Sequence, residues 1–409
     1  MFSELFRRHI GRAQGSAPDL PAGLCRTRAG SLCALCHASS TAYDAEARAR
    51  GAALAEFWTR LPSPGPLAPL VRSPLGRRYR TVTKRKAFLA RDEVRLGLIE
   101  GEYGRRPLPV RACAIEPETH AAVYARLEES IHAPAARSLA RALRYVIVRG
   151  SYDELVVIFS VDRIDGETVR GANGLSRGLT GACPAVRGVL LYEDRGDDRY
   201  YLSARSAPPA RSVRKIFGTT DIRLSFGGRT FHSPPLGFSQ VNASLVNALI
   251  AEAGTMLALG GDDDMVDLYC GYGVFTLTAG RAARRATGIE RSAEAVEAAI
   301  RNAKARGPSN ARFIRGDITE ESLGAVLSRL RRRDAVLLDP PRGGTAPGVI
   351  ECVAAARPAR AVHMFCNIDI MPGELERWSR AGYRVVRGTP FDMFPGTDET
   401  EIMVLLERA

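Results

Sequence analysis

The chain has 409 residues, 45% of them hydrophobic, and a formal net charge of +13. At roughly 100–200 residues per domain, this predicts two or three domains with a sizeable core. The positive field favours a polyanionic partner, nucleic acid first. No run of about eighteen apolar residues is present, so no membrane helix is expected, and the first twenty residues hold no apolar secretory core. A cytoplasmic protein is expected. Arg7, Arg8 and Arg12 faintly echo an organellar leader, but a frayed terminus is the preferred reading.

Eight cysteines in a long, non-secreted chain do not suggest a disulfide framework. Three of them form Cys25-x7-Cys33-x2-Cys36 in a stretch with weak secondary-structure signals. Thiolates grouped in a loop seize a soft metal or an iron–sulfur cluster. Cys113 is the best fourth ligand, with zinc on the same four residues as the inorganic runner-up and unrelated thiols as the bland alternative. Residues 41–60 read as a helix, ended by the proline-rich linker 61–66. Between Arg72 and Lys86, seven of fifteen residues are basic and none is acidic. Tyr79 among these arginines could stack a base while the cations hold phosphates. A solvated basic edge strand explains the same pattern.

From about Tyr145 to Phe226 the pattern is mainly β, with strands at 144–149, 155–159 and 222–226 and a tight Gly227-Gly228 turn. Gln240 precedes a predicted helix, 245–259, where its amide either binds a ligand edge or caps the helix. Strand and helix then alternate as in a parallel α/β sheet. Strands are expected near 265–270, 287–290, 313–317, up to Asp339, up to Cys366, and at 383–386 and 401–406. A helix is expected from about Thr276, and another is predicted to start at Ser292 and end at Gly307. In such a sheet, ligands bind outside the carboxyl ends of the strands. Gly271-Tyr272-Gly273 followed by Glu290 is a nucleoside-site arrangement without the third glycine of the pyrophosphate version. That favours S-adenosylmethionine over NAD, although a structural glycine turn remains open on these residues alone.

Asp267-Leu268-Tyr269-Cys270-Gly271-x-Gly273, Asp339-Pro340-Pro341-Arg342, Phe365-Cys366-Asn367 and Phe391-Asp392-Met393-Phe394-Pro395 occur in this order. This set resembles the RNA uracil-5-methyltransferase family. The cysteine loop is most similar to the iron–sulfur-containing 23S rRNA enzymes of the RlmC/RlmD type. The resemblance implies an N-terminal cysteine-loop region (1–70), a central β-rich RNA-binding domain (71–230) and a Rossmann-like class I methyltransferase domain (231–409). It implies cofactor contacts at Gln240, Tyr269, Glu290, Asp317 and Asp339, a nucleophile at Cys366, a general base at Glu401, and a 4Fe-4S cluster on Cys25, Cys33, Cys36 and Cys113. The family usually has a histidine two residues before the base, where this chain has Glu399, so Glu399 competes for that role.

The implied chemistry is addition of Cys366 to carbon 6 of uracil, methylation at carbon 5, and removal of the carbon-5 proton by Glu401. The expected substrate is 23S rRNA, with tRNA as the alternative, and no protein partner or membrane is called for. A cytosine-5 enzyme generally places a cysteine in or beside the Asp339 motif, and an amino-group enzyme ends that motif in an aromatic residue. Arg342 fits neither. A non-catalytic iron–sulfur RNA-binding module is the rival from another class, and it has no need of Cys366 or Glu401.

Overall fold

The computed structural model describes residues 1–12, 20, 24–27, 30–62, 64–90, 93–100, 106–194, 213–305 and 309–409. The amino-terminal segment is not frayed. Helix α1 (Phe2–Arg12) buries Phe2, Leu5, Phe6 and Ile10, which lie three to four residues apart on one face. It lies along α2 (Tyr43–Trp58), and both helices share a core with the carboxy-terminal sheet. The apolar spacing outweighs the arginines, which stay on the outer side.

The middle of the chain builds a seven-stranded mixed sheet from β1 (Val82–Ala90), β2 (Glu93–Glu100) and β3 (Arg106–Leu108). Helices α3 (Glu118–Ser130) and α4 (Arg137–Ala142) follow, then β4 (Leu143–Gly150) and β5 (Leu155–Val161). Helix α5 (Gly166–Ala182), β6 (Val186–Glu193) and β7 (Val213–Gly218) complete it. The strand order is β3-β2-β1-β4-β5-β6-β7. All pairs are antiparallel except β5 with β6, which α5 connects. The expected β-rich region is therefore α/β. Its longest helix was hidden because α5 contains five glycines, and glycine is a poor helix former. A hairpin of β8 (Ile222–Phe226) and β9 (Arg229–Ser233) follows, turning on Gly227 and Gly228 at positive φ. Ile222, Leu224, Phe226 and Phe231 pack against Ile147, Ile158 and Leu190 of the mixed sheet.

Neither the base-stacking tyrosine nor the edge strand expected in the basic run is found. Strand β1 is paired on both sides, by β2 and β4, so it is not an edge. Tyr79 is fully buried, out of reach of a base. Arg77 binds Glu46, Arg78 binds Glu118, and Arg85 makes a buried pair with Glu116 at 2.6 Å. The acids that neutralise these cations lie 31 to 40 positions away in sequence.

The carboxy-terminal region starts with α6 (Val246–Leu257), β10 (Asp264–Leu268) and α7 (Val274–Leu277). It continues through β11 (Arg285–Glu290), α8 (Ala293–Lys304), β12 (Ala311–Arg315), α9 (Glu320–Leu327), β13 (Ala335–Leu338) and α10 (Val349–Ala355). It closes with β14 (Arg360–Phe365), α11 (Met371–Arg380), β15 (Tyr383–Phe391) and β16 (Glu401–Arg408). Strand order is β12-β11-β10-β13-β14-β16-β15, and β16 runs antiparallel to its neighbours. This is the expected Rossmann-like sheet, and its order reverses between β10 and β13, where open α/β sheets bind ligands. The strand expectations hold here, and Ser292 caps α8 by accepting from Ala295 N. The helix expected from Thr276 is a single α turn plus the 3-10 turn 279–282. The expected stop at Gly307 lies outside the described residues.

Candidate active site

Strand β10 ends in a strained corner. Tyr269 adopts φ 66° and Gly271 φ 55°, in the left-handed region that non-glycine residues rarely enter. A Cβ on Gly271 would meet nothing within 4 Å, so the turn opens onto free space. Glu290, at the tip of β11, accepts from Gly271 N at 3.1 Å and Ser292 N at 2.8 Å. These amides hold both carboxylate oxygens at the rim of that space. Asp317, beyond β12, is exposed and pairs with Arg291 at 3.0 Å. Gln240 is half-buried, and its backbone carbonyl faces the Thr81 hydroxyl at 3.4 Å. It lies on the loop leading to α6, which buried Arg149 ties down by donating to Ser239 Oγ at 2.9 Å and to Pro235 O.

Asp339, Cys366 and Glu401 lie together. The register pairs Leu268 with Leu338 and Phe365 with Ile402. Asp339 and Cys366 therefore follow adjacent strand tips, and Cys366 lies beside Glu401 at the start of β16. The Cys366 thiol faces Pro340 O at 4.0 Å. Glu401 is buried, and its Oε2 has no hydrogen-bond partner. Burial, then the charge of Asp339, pushes Glu401 up to about 8, with Arg342 opposing. Burial pushes half-buried Asp339 up to about 7. Burial, then Glu401 and Asp339, pushes the Cys366 thiol up to about 12. Enclosed carboxylates that cannot all stay ionised form a site suited to a cationic ligand.

The sequence reading gave no role to Asp267, yet it belongs to this group. It is buried in β10, accepts from Thr276 Oγ1 at 2.5 Å, and leaves Oδ1 without a partner. Burial pushes it up to about 7. A carboxylate inside the apolar run Met265 to Cys270 was the signal. The loop after Arg342 is held by Glu374, which accepts from Thr345 N at 2.8 Å and Thr345 Oγ1 at 2.6 Å. Ala346, next in that loop, and Tyr269 pack against the same core. Glu399 pairs with Arg342 at the rim.

Cys25, Cys33, Cys36 and Cys113 also converge. Cys25 and Cys33 are buried in a small cluster with Val110 and Ala114, Cys36 packs against it partly open, and buried Cys113 lies near Cys36 and Cys25. Cys33 N donates to Cys25 O at 2.6 Å, and Cys25 N to Ala112 O at 3.0 Å. Burial and then the neighbouring thiols push Cys36 up to about 11, and burial, then Glu116 and Cys36, push Cys113 well up. Among the described residues, no group of three or more His, Cys, Asp or Glu has metal-binding geometry. A groove of about 450 Å³ beside Leu54, Trp58 and Pro390, and a cavity of about 370 Å³ beside Ile250 and Thr278, share no residue with either cluster.

Residues 221–409 match the family model described as tRNA (Uracil-5-)-methyltransferase. The 23S rRNA (uracil(1939)-C(5))-methyltransferase RlmD of Aeromonas salmonicida is 33% identical over 236 residues, 58% of this chain and 50% of that protein. Its namesake from Klebsiella pneumoniae subsp. pneumoniae is 34% identical over 244 residues, 59% and 55% respectively. The chain thus spans about half the length of these curated relatives. The structure of Pyrococcus abyssi tRNA (uracil-54, C5)-methyltransferase with S-adenosyl-L-homocysteine superposes with a TM-score of 0.62 at 19% identity, covering 82% of this chain and 78% of that one. Likeness at that identity speaks for the fold. Residues 221–409, which carry the Asp339, Cys366 and Glu401 cluster, are thus similar to the RNA uracil-5-methyltransferases.

Proposed function

We propose that the protein methylates carbon 5 of a uridine in RNA, with S-adenosylmethionine as donor and 23S rRNA as the favoured substrate over tRNA. The observation that carries this reading is the adjacency of the Cys366 thiol to the buried, partnerless Oε2 of Glu401. Addition of a thiolate to carbon 6 makes carbon 5 nucleophilic, and a base within reach must then remove the carbon-5 proton. Glu401 suits that role better than Glu399, which is engaged with Arg342. S-adenosylmethionine, when bound, supplies the electrophilic methyl group on a sulfonium cation. The fit of the chain to it rests on the free space over Gly271, the unpartnered Asp267 Oδ1 and the concentrated carboxylates. In this reading Tyr269, Glu290 and Asp339 hold the cofactor there, with Gln240 and Asp317 as outer contacts.

The four cysteines suit a thiophilic centre by donor chemistry, and we assign them a 4Fe-4S cluster in preference to zinc. Thiols pushed up by burial and by each other ionise when a metal replaces their protons. The division into 1–70, 71–230 and 231–409 remains our reading of the parts, with the middle one meeting RNA. We read its site of action as cytoplasmic; among the described residues no helix is long and apolar enough to cross a membrane.

The test is incubation with S-adenosylmethionine and 5-fluorouracil-containing 23S rRNA, followed by a denaturing gel. Fluorine cannot leave as a cation, so wild type is expected to remain bound to RNA and Cys366→Ala to form no complex. A complex with tRNA alone would replace the substrate. A complex that persists in Cys366→Ala would overturn the nucleophile.

A further inference from the structure

The loop between β15 and β16 carries Glu399 and delivers Glu401, yet much of what holds it comes from the first fifty residues. Arg50 of α2 is fully buried. Its guanidinium donates to Glu399 O at 2.5 Å and to Thr397 O at 2.6 Å. It also donates to Glu46 Oε1 at 3.1 Å, and its Nε lies 3.1 Å from Asp392 Oδ1. The Phe6 ring of α1 lies 4.3 Å from its Cζ. Glu46 Oε1 accepts from Gly396 N at 2.5 Å, and Glu46 Oε2 from Arg77 at 3.0 Å. Tyr43 donates to Asp392 Oδ2 at 2.9 Å. At the outer end, His37 N donates to Gly396 O at 2.6 Å, and Asp398 meets the His37 ring at 2.6 Å and Arg7 Nε at 2.7 Å.

Besides its two carboxylate partners, Arg50 gives two donors to backbone carbonyls of one short loop. Such bonds fix the path of a chain whatever its side chains are. Removing a buried partner leaves the carbonyls unsatisfied, so the loop would shift. Thr397, Glu399 and Glu401 are spaced so that the two carbonyls held by Arg50 lie four and two residues before the base.

We infer that Arg50 and Glu46 are positioning residues for Glu401, and that the amino-terminal helices complete the catalytic apparatus by clamping the loop that presents the base. The inference rests on the reading of Glu401 as the base. In the step concerned, Glu401 takes the carbon-5 proton, the electrons of that bond restore the carbon 5–carbon 6 double bond, and the Cys366–carbon 6 bond breaks to release the thiolate. A displaced Glu401 leaves earlier steps intact. Cys366 still adds and the methyl group still transfers, so the methylated adduct should accumulate on ordinary uridine. A general loss of structure would reduce adduct and turnover together.

The experiment uses the full-length protein, S-adenosylmethionine and ordinary-uridine RNA of whichever kind is trapped in its 5-fluorouracil form. Wild type, Glu401→Gln, Arg50→Lys, Glu46→Gln and Asp398→Asn are compared for turnover, denaturation-stable adduct and thermal unfolding. Asp398→Asn, at the partly open rim, gives a reading if the buried variants do not fold. Arg50→Lys is expected to lose about 100-fold in kcat, the scale of a displacement near 1 Å, and to accumulate adduct as Glu401→Gln does. Asp398→Asn should do the same more weakly. No adduct in Glu401→Gln would overturn the base assignment and the clamp with it. Adduct in Glu401→Gln, but wild-type turnover or a parallel loss of adduct and turnover in the folded clamp variants, would overturn the clamp alone.

Discussion

Glu401 combines burial, a partnerless oxygen and acidic neighbours, and each favours its neutral form. A base must be ionised, so kcat, which contains the elimination step, should rise with pH through the value of about 8 to which Glu401 is pushed. A rate profile flat from pH 6 to 9 would contradict this. The same group affects stability with the opposite sense. The folded chain keeps the proton up to about pH 8, whereas an ordinary glutamate releases it near 4.5. The native state therefore holds more protons across that window, and stability falls as pH rises through it. Glu401→Gln should flatten that slope in thermal unfolding of the ligand-free protein and raise the midpoint most at pH 8. Cys366 and Glu401 were singled out in sequence by the resemblance of their motifs, and the register of β14 on β16 brings the two together. Arg50 was not, since its partners Thr397 and Glu399 lie 347 and 349 positions away. Tyr79 was misread for the same reason, because the elements that cover it are distant in sequence.

Among the elements, the carboxy-terminal strands were readable from apolar runs bounded by turns, and their parallel α/β character from βα alternation, whereas the antiparallel β16 between β14 and β15 was not. Helix α5 was not, and its glycines differ in what surrounds them. A Cβ at Gly171 would lie 2.9 Å from Leu139 Cβ and 3.1 Å from Leu139 N, so the residue permits close packing of α4 on α5. A Cβ at Gly178 would come no nearer than 3.7 Å to Arg126, and one at Gly181 would meet nothing. Gly178→Ala and Gly181→Ala should each stabilise the protein by about 0.5–1 kcal/mol, while Gly171→Ala should destabilise it. Denaturant titration of the three variants checks this ordering. Helix α1 was overlooked because its arginines drew attention from Phe2, Leu5, Phe6 and Ile10, whose spacing alone marks a buried face.

At the scale of the whole molecule, the two ends of the chain share one core. Trp58 is buried, donates to Gly65 O at 2.9 Å, and leaves no room for a Cβ on Gly388. Phe2 N donates to Asp369 Oδ1 at 2.6 Å. Trp58→Ala should cost about 3–5 kcal/mol, read as a lower midpoint in denaturant, and should loosen β15 together with α2. No local pattern announces such closure, because contacts between distant segments leave no periodicity in either.

That shared core also bears on synthesis. A ribosome adds roughly 5–20 residues per second, so Gly388 emerges about 15–65 s after Trp58. During that interval the apolar faces of α1 and α2 have no sheet to cover them. Of the four thiols, Cys25, Cys33 and Cys36 come first, and Cys113 follows 77 positions after Cys36. The nascent chain can thus gather its thiols long before it can bury Phe6 and Trp58, and an early-formed cysteine loop would keep the amino-terminal segment compact while the last two strands are still being made.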